Sequence, residues 1–151
     1  MDIISELNGK RILIWGYGRE GKATEHFLQR CVKPASVDIF EGKKEEIDED
    51  DYDFIIKSPG IVMNEENPKY TSETELFLQQ FRDQVIGITG TKGKSTTSAM
   101  LYTVLKACSG RPVLLLGNIG QPCLDYFDEV TEDTIIVYEL SLIHISEPTR
   151  L

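Results

Sequence analysis

A chain of 151 residues, 40% hydrophobic and 27% charged, has the composition of a globular protein built as one ordinary domain or two small ones. Its net charge of −9 argues against a general nucleic-acid binder, which needs a basic footprint. No apolar run approaches the roughly 20 residues that span a bilayer, so no membrane partner is expected. The start, Met1-Asp2-Ile3-Ile4-Ser5-Glu6, is acidic and lacks a signal-peptide core. Cys31, Cys108 and Cys123 show no metal-ligand spacing, and reduced, buried thiols in a cytoplasmic protein are expected.

In chain order, Arg11-Ile12-Leu13-Ile14-Trp15 reads as a buried strand that ends in Gly16-Tyr17-Gly18-Arg19-Glu20-Gly21. A helix follows, with Ala23, Phe27, Leu28 and Cys31 spaced for one buried face, and Pro34 ends it. Ser36-Val37-Asp38-Ile39-Phe40 is a second strand, and the acidic stretch 45–53 a solvated loop or helix face. Asp53-Phe54-Ile55-Ile56 is a third strand, closing on the turn Ser58-Pro59-Gly60. Ser72 with Glu75 makes a capping-box start for a helix bearing Leu76, Phe77 and Phe81. This alternation predicts a small parallel α/β sheet, Rossmann-like, over residues 1–84.

A second α/β unit starts at Val85. Strand 85–89, a glycine-rich loop, helix 95–107, strand 113–116, the turn Gly117-Asn118-Ile119-Gly120 and strand 134–138 are expected, with the domain running over 85–141. Such a sheet normally has five or more strands, so uncovered apolar faces and open strand edges are expected here. From Leu140 the strand–helix logic lapses. The string Leu140-Ser141-Leu142-Ile143-His144-Ile145-Ser146-Glu147-Pro148-Thr149-Arg150 resembles the translation of a transposon-end sequencing adapter. Residues 142–151 are therefore expected to be a non-native tail, and His144 is no ligand candidate.

Two turns carry the chemistry. Gly90-Thr91-Lys92-Gly93-Lys94-Ser95 lies between a β-branched strand and a helix start, where unpaired amides and the positive end of the helix dipole hold phosphate. Lys94 would reach the outer phosphates and the Ser95 hydroxyl would ligate Mg²⁺. The loop is shorter than G-x-x-x-x-G-K-[ST], because Ile88 stands where that pattern has glycine. Gly16-x-Gly18-x-x-Gly21 fits the dinucleotide fingerprint, with Asp38 or Glu41 as the acidic residue about 20 positions on. By itself it does not distinguish NAD, FAD or a UDP-sugar. A glycine turn that serves only strand–helix packing leaves the same signature.

Taken together, the chain resembles the Mur ligases. Five blocks in order carry the resemblance: residues 16–21, Ser58-Pro59-Gly60-Ile61, residues 90–95, Gly117-Asn118-Ile119-Gly120 and Tyr138-Glu139-Leu140-Ser141. Ser95 and the first two blocks favour the D-glutamate-adding branch. The resemblance implies that Gly16, Tyr17, Gly18, Gly21, Glu41, Ser58, Pro59 and Gly60 bind a uridine diphosphate sugar, with Asn118 at its muramoyl-alanine end. It implies that Gly90, Thr91, Lys92, Gly93, Lys94, Ser95 and Thr96 bind ATP. Lys94 and Glu139 would be catalytic, and Ser95 and Glu139 would be Mg²⁺ ligands. A monomer working on small-molecule substrates is implied, its chemistry carboxylate activation through an acyl phosphate, and this shortened chain is expected to be inactive. A non-catalytic UDP-binding fragment and an NAD(P)-binding oxidoreductase domain are the alternatives.

Overall fold

The computed structural model describes residues 2–63, 65–117 and 121–140. The chain divides between Gln80 and Phe81 into two compact α/β units, in both of which every strand pair is parallel.

In the first unit a short helix, α1 (Ile3–Leu7), begins on Asp2, whose carboxylate accepts from the Ile4 amide. Strand β1 (Arg11–Trp15), helix α2 (Arg19–Cys31), strands β2 (Ser36–Phe40), β3 (Phe54–Lys57) and β4 (Tyr70–Ser72) and helix α3 (Glu73–Phe81) follow. The sheet order is β2-β1-β3-β4. β1 is interior, and Ile12, Leu13, Ile14 and Trp15 are all buried, as expected of a parallel strand covered on both faces. Alternation sends Leu13, Trp15 and the paired Ile55 to one face, where Phe40, Ile47, Tyr52, Ile61, Met63 and Tyr70 pack on them. Phe40 ends β2 and Tyr70 begins β4, while Ile47 and Tyr52 come from the segment after β2 and Ile61 and Met63 from that after β3; none of the six lies in an α-helix. α2 lies on the other, with its Gly21 against Ile14.

The acidic stretch forms two short 3₁₀ turns, Lys44–Glu46 and Glu49–Asp51. They are tied down rather than simply solvated. Glu49 accepts from the Tyr70 hydroxyl (2.7 Å) and the Asn67 amide (3.0 Å), and its carbonyl accepts from the Lys69 ammonium (2.8 Å). Burial, and then the bond to Glu49, push the Tyr70 phenol well above its ordinary range. α3 begins as the Ser72 spacing predicts, with Ser72 Oγ accepting from the Glu75 amide (3.2 Å). The Glu75 carboxylate, however, accepts from Thr71 Oγ1 (3.1 Å).

At the start of β1, Asp53 accepts from the Arg11 amide (2.8 Å) and from its guanidinium Nε and Nη2 (both 3.3 Å). These bonds hold the Asp53 carboxyl below the usual carboxylate range. A carboxyl whose folded pKa is depressed contributes stability above its unfolded value, about 4, and loses it as pH falls through the folded value. Asp53→Asn is therefore expected to flatten the acid limb of the stability curve below about pH 4. Urea midpoints for the two proteins between pH 2 and 7 would check it; parallel curves would refute the assignment.

The second unit contains β5 (Val85–Ile88), α4 (Lys94–Cys108), β6 (Val113–Leu116), a 3₁₀ segment (Cys123–Glu129) and β7 (Ile135–Glu139). Its sheet order is β5-β7-β6, with β7 central and Ile136, Val137, Tyr138 and Glu139 buried. Gln84 anchors the entry to β5, donating to the carbonyls of Thr131 (2.7 Å) and Thr134 (2.9 Å), and Phe81 packs on Phe127. Apolar side chains stand exposed, as the strand count leads one to expect: Met100 at 65% and Val104 at 57% on α4, and Ile86 on the edge strand β5. The expectation of buried thiols fails for Cys108, which is exposed at the end of α4, and for Cys31, which is only half-buried; Cys123 is buried. Both exceptions sit in the last turn of a helix, beyond the stretch that packs on its sheet. The expected tail, residues 142–151, lies outside the described residues.

Candidate functional site

In the first unit the candidate residues gather at the carboxyl ends of the strands. From β1 the chain passes to β2 on one side and then to β3 on the other, so the order reverses between β1 and β3. Ligands of open α/β sheets bind outside such a switch point. Gly16 follows β1 and Ser58 follows β3: the Gly16 amide donates to the Phe40 carbonyl (2.8 Å) and the Ser58 amide to the Trp15 carbonyl (2.9 Å). Pro59 and Gly60 continue a turn closed by the Ile61 amide on the Ser58 carbonyl (3.0 Å). Glu41 follows β2 and is exposed.

The three fingerprint glycines have three different physical reasons. Gly16 has φ +94°, and a Cβ on it would strike the Ser58 side chain. A Cβ on Gly21 would strike the Gly16 carbonyl oxygen, so close helix–strand packing requires that glycine. Gly18 meets no protein atom within 4 Å and has an ordinary φ of −78°. Nothing inside the protein demands a glycine there. It caps α2 without a side-chain hydrogen bond, and a helix N-terminus of this kind suits an anion. Tyr17 contributes differently: its hydroxyl donates to Glu25 Oε1 (2.8 Å) and Lys22 lies 5.7 Å from its ring centroid. The bond to Glu25, with some burial, raises its phenol pKa. Its side chain is engaged by α2.

In the second unit the turn at 89–93 carries Gly90 at φ +145° and Gly93 at φ +76°, the latter as N-cap of α4 with no side-chain cap. Thr91 and Lys92 are exposed, Lys94 is half-buried, and Ser95 and Thr96 are exposed on the first turn of α4. The Thr97 amide donates to the Gly93 carbonyl (2.9 Å), the first bond of the helix ladder, which leaves the preceding amides facing the loop.

β7 brings Glu139 to the same end of the sheet. Glu139 pairs with Ile88, the Leu140 amide donates to the Ile88 carbonyl (2.9 Å), and Thr89 and Gly90 continue from there. On the other side a Cβ on Gly117 (φ +112°) would strike the Glu139 backbone, so the turn after β6 needs glycine. Asn118, expected at the substrate, lies outside the described residues. Glu139 is 3% exposed and its Oε1 has no hydrogen-bond partner among the described residues. A buried carboxylate oxygen left unpaired is a costly arrangement that calls for a cation or water.

That orphaned oxygen fits Mg²⁺. No group of three or more His, Cys, Asp or Glu able to hold a metal exists among the described residues. Glu139→Gln keeps the volume of the side chain and is expected to leave the thermal midpoint of the ligand-free chain within about 2 °C. If Mg²⁺ with ATP binds here, it should stabilise the unaltered chain further and this variant less. Differential scanning fluorimetry with and without Mg-ATP measures both; a variant that loses stability and keeps the Mg-ATP response would sink the assignment.

Sequence reasoning missed Trp15 and Lys57, whose side chains hold the loops around the first crevice. Gly117 was within a turn singled out for its asparagine, and its own geometric necessity shows only in the fold.

No protein-family model matches the chain. Curated proteins do. The chain is 34% identical to a UDP-N-acetylmuramoyl-L-alanine--L-glutamate ligase of Xanthomonas euvesicatoria, over 81% of this chain and 33% of that protein. It is 37% identical to a UDP-N-acetylmuramoylalanine--D-glutamate ligase of Clostridium kluyveri, over 76% of this chain and 26% of that protein. A D-glutamate ligase of Leuconostoc mesenteroides matches 91% of the chain at 28% identity, over 37% of its own length. The chain thus spans about a third of the length of the curated relatives it matches. At 34% and 37% identity over more than three quarters of its length, the chain belongs to the Mur ligase family.

Proposed function

We propose that this chain is the nucleotide-binding part of an ATP-dependent ligase that adds D-glutamate to UDP-N-acetylmuramoyl-L-alanine, a step of peptidoglycan precursor synthesis. The observation that carries the reading is Gly18: its open Cβ direction at an uncapped helix N-terminus, beside the switch point, marks backbone kept bare for a diphosphate. Residues 1–84 hold the uridine diphosphate sugar, with Gly16, Gly18 and Gly21 shaping the turn, Glu41 at the ribose side and Ser58-Pro59-Gly60 along the sugar. Residues 85–141 hold ATP, with residues 90–96 around its phosphates.

In the reaction the alanyl carboxylate takes the terminal phosphoryl group of ATP and ADP leaves. The amine of D-glutamate then displaces phosphate from the acyl phosphate. Lys94 stabilises charge on the transferring oxygens, and the loop amides align the phosphates. Ser95 and Glu139 would hold Mg²⁺, which supplies charge neutralisation at the phosphoryl group. No side chain is asked to be a covalent nucleophile. The activity belongs to the whole protein, a cytoplasmic monomer on this reading, and the 151 residues alone bind nucleotide without ligation.

Calorimetric titration of the chain with UDP-N-acetylmuramoyl-L-alanine, Mg-ATP and NADH tests the proposal. Saturable binding of the first two is expected; binding of NADH in their place returns the chain to the oxidoreductases. The choice of D-glutamate rests on Ser95 and the first two blocks, while relatives bear names for either enantiomer. Amide-bond formation by the whole protein with L-glutamate in preference to D-glutamate would overturn that part.

A further inference from the structure

Two side chains that no motif contains stand at the carboxyl ends of β1 and β3, beside the switch point where an open α/β sheet takes its ligand. Trp15 and Lys57 are register partners, the last pair of β1 and β3, immediately before Gly16 and Ser58. Both share the face of Leu13 and Ile55, by strand alternation. Each reaches to one of the flanking loops. Trp15 Nε1 donates to the Gly42 carbonyl (3.0 Å), in the loop after β2 that carries Glu41. The Lys57 ammonium donates to the Ile61 carbonyl (3.3 Å), in the loop after β3 that carries Ser58, Pro59 and Gly60.

We propose that Trp15 and Lys57 are paired positioning residues that set the separation of the two loops and so tune the crevice for a nucleoside diphosphate. The inference rests on the uridine-nucleotide reading of that crevice. Each loop is attached to the sheet at its root by one backbone bond, Gly16 to Phe40 on one side and Ser58 to Trp15 on the other. A second attachment farther out turns a hinge into a brace. Gly42 is suited to this, because a Cβ there would strike the Phe40 ring and the Glu46 carboxylate; the loop can come close only without one. Ile61 is suited as well, since its amide already closes the turn on Ser58, so holding its carbonyl holds all of residues 58–61. Preorganised loops bind more tightly because less ordering is left to the ligand.

The test uses the full chain and UDP as probe, with affinity by isothermal titration calorimetry and loop order by amide hydrogen exchange. Lys57→Met keeps the aliphatic stem and removes the donors. It is expected to weaken UDP binding about 10-fold, the size of one lost charge-assisted hydrogen bond to a part-buried carbonyl. Exchange at Gly60, Ile61, Val62 and Met63 should quicken without ligand, while β1 and β3 keep their protection. Lys57→Arg restores the donor and should return affinity to within about threefold of the unaltered chain. Trp15→Phe should weaken UDP similarly, with faster exchange confined to the loop after β2. Unchanged affinity in Lys57→Met overturns the proposal. So does weakened affinity with unchanged exchange, which would make the lysine a direct ligand contact. If the unaltered chain binds no UDP, the nucleotide reading itself fails and takes this proposal with it.

Discussion

Replacing Lys94 with methionine is expected to weaken Mg-ATP binding about 100-fold, or about 2.7 kcal/mol, while leaving the fold in place. Lys94 is half-buried at the first position of α4, behind two glycines of positive φ that shape the turn before it. A charged donor contributes more than a neutral one, and an ammonium at this place serves more than one phosphate oxygen. The methionine retains an aliphatic stem of similar length, so the thermal midpoint should move by no more than about 2 °C. Equilibrium binding of a fluorescent ATP analogue and a thermal scan of the same samples decide the matter. If affinity were retained, the loop would be a bare helix entry and the ligase reading would lose its energy source. Lys92, exposed on the same turn, is the internal control: its removal should matter far less.

The second large effect separates glycines that the motif treats as equals. Gly21→Ala places a methyl against the Gly16 carbonyl oxygen, a backbone atom that cannot step aside without moving the turn. A cost of about 3 kcal/mol is expected, or roughly 15 °C in the midpoint of the first unit. Gly18→Ala meets open space at a φ any residue adopts. The entropy gained from a stiffer unfolded chain and the poorer N-cap offset each other, leaving stability within about 0.5 kcal/mol. Yet the new methyl occupies the path of the diphosphate, and UDP affinity should fall by about 10-fold or more. Urea melts and UDP calorimetry on both variants give a two-by-two outcome. A Gly18→Ala chain that binds UDP normally would mean that the turn serves packing alone.

Much of this was legible before any fold was seen, for physical reasons that differ along the chain. β1 and α2 announce themselves because a run of four apolar residues and a period of 3.6 survive together around a glycine turn. α1 did not, since five residues are too few for a period and its cap, Asp2, looks like any acidic start. β4 is three residues, Tyr70, Thr71 and Ser72, whose strand character comes from pairing with β3 rather than from apolar alternation. The acidic stretch read as solvated because charge alone was visible; Glu49 owes its place to Tyr70, Asn67 and Lys69, some 20 positions away. The same divide runs through the site. Glycines leave a spacing, and spacing is readable. The burial of Glu139 depends on strand order β5-β7-β6, and the bonds of Trp15 and Lys57 to two carbonyls depend on register. Side-chain bonds to remote backbone leave no signature in a single sequence.

Trp15 is the one tryptophan of the chain. Because its indole nitrogen is bonded to the Gly42 carbonyl and its ring meets that of Tyr70 edge-on at 6.1 Å, its emission originates from one defined spot beside the first crevice. Unlabelled protein excited at the red edge of its absorption therefore carries a native optical gauge of that crevice. A ligand that displaces the loop after β2 changes the polarity around the indole and shifts its colour, whereas one that binds at the phosphate loop of the second unit has no tryptophan there to perturb. On the proposed reading, the uridine nucleotide and ATP would thus be told apart in a single cuvette by which of them moves the spectrum.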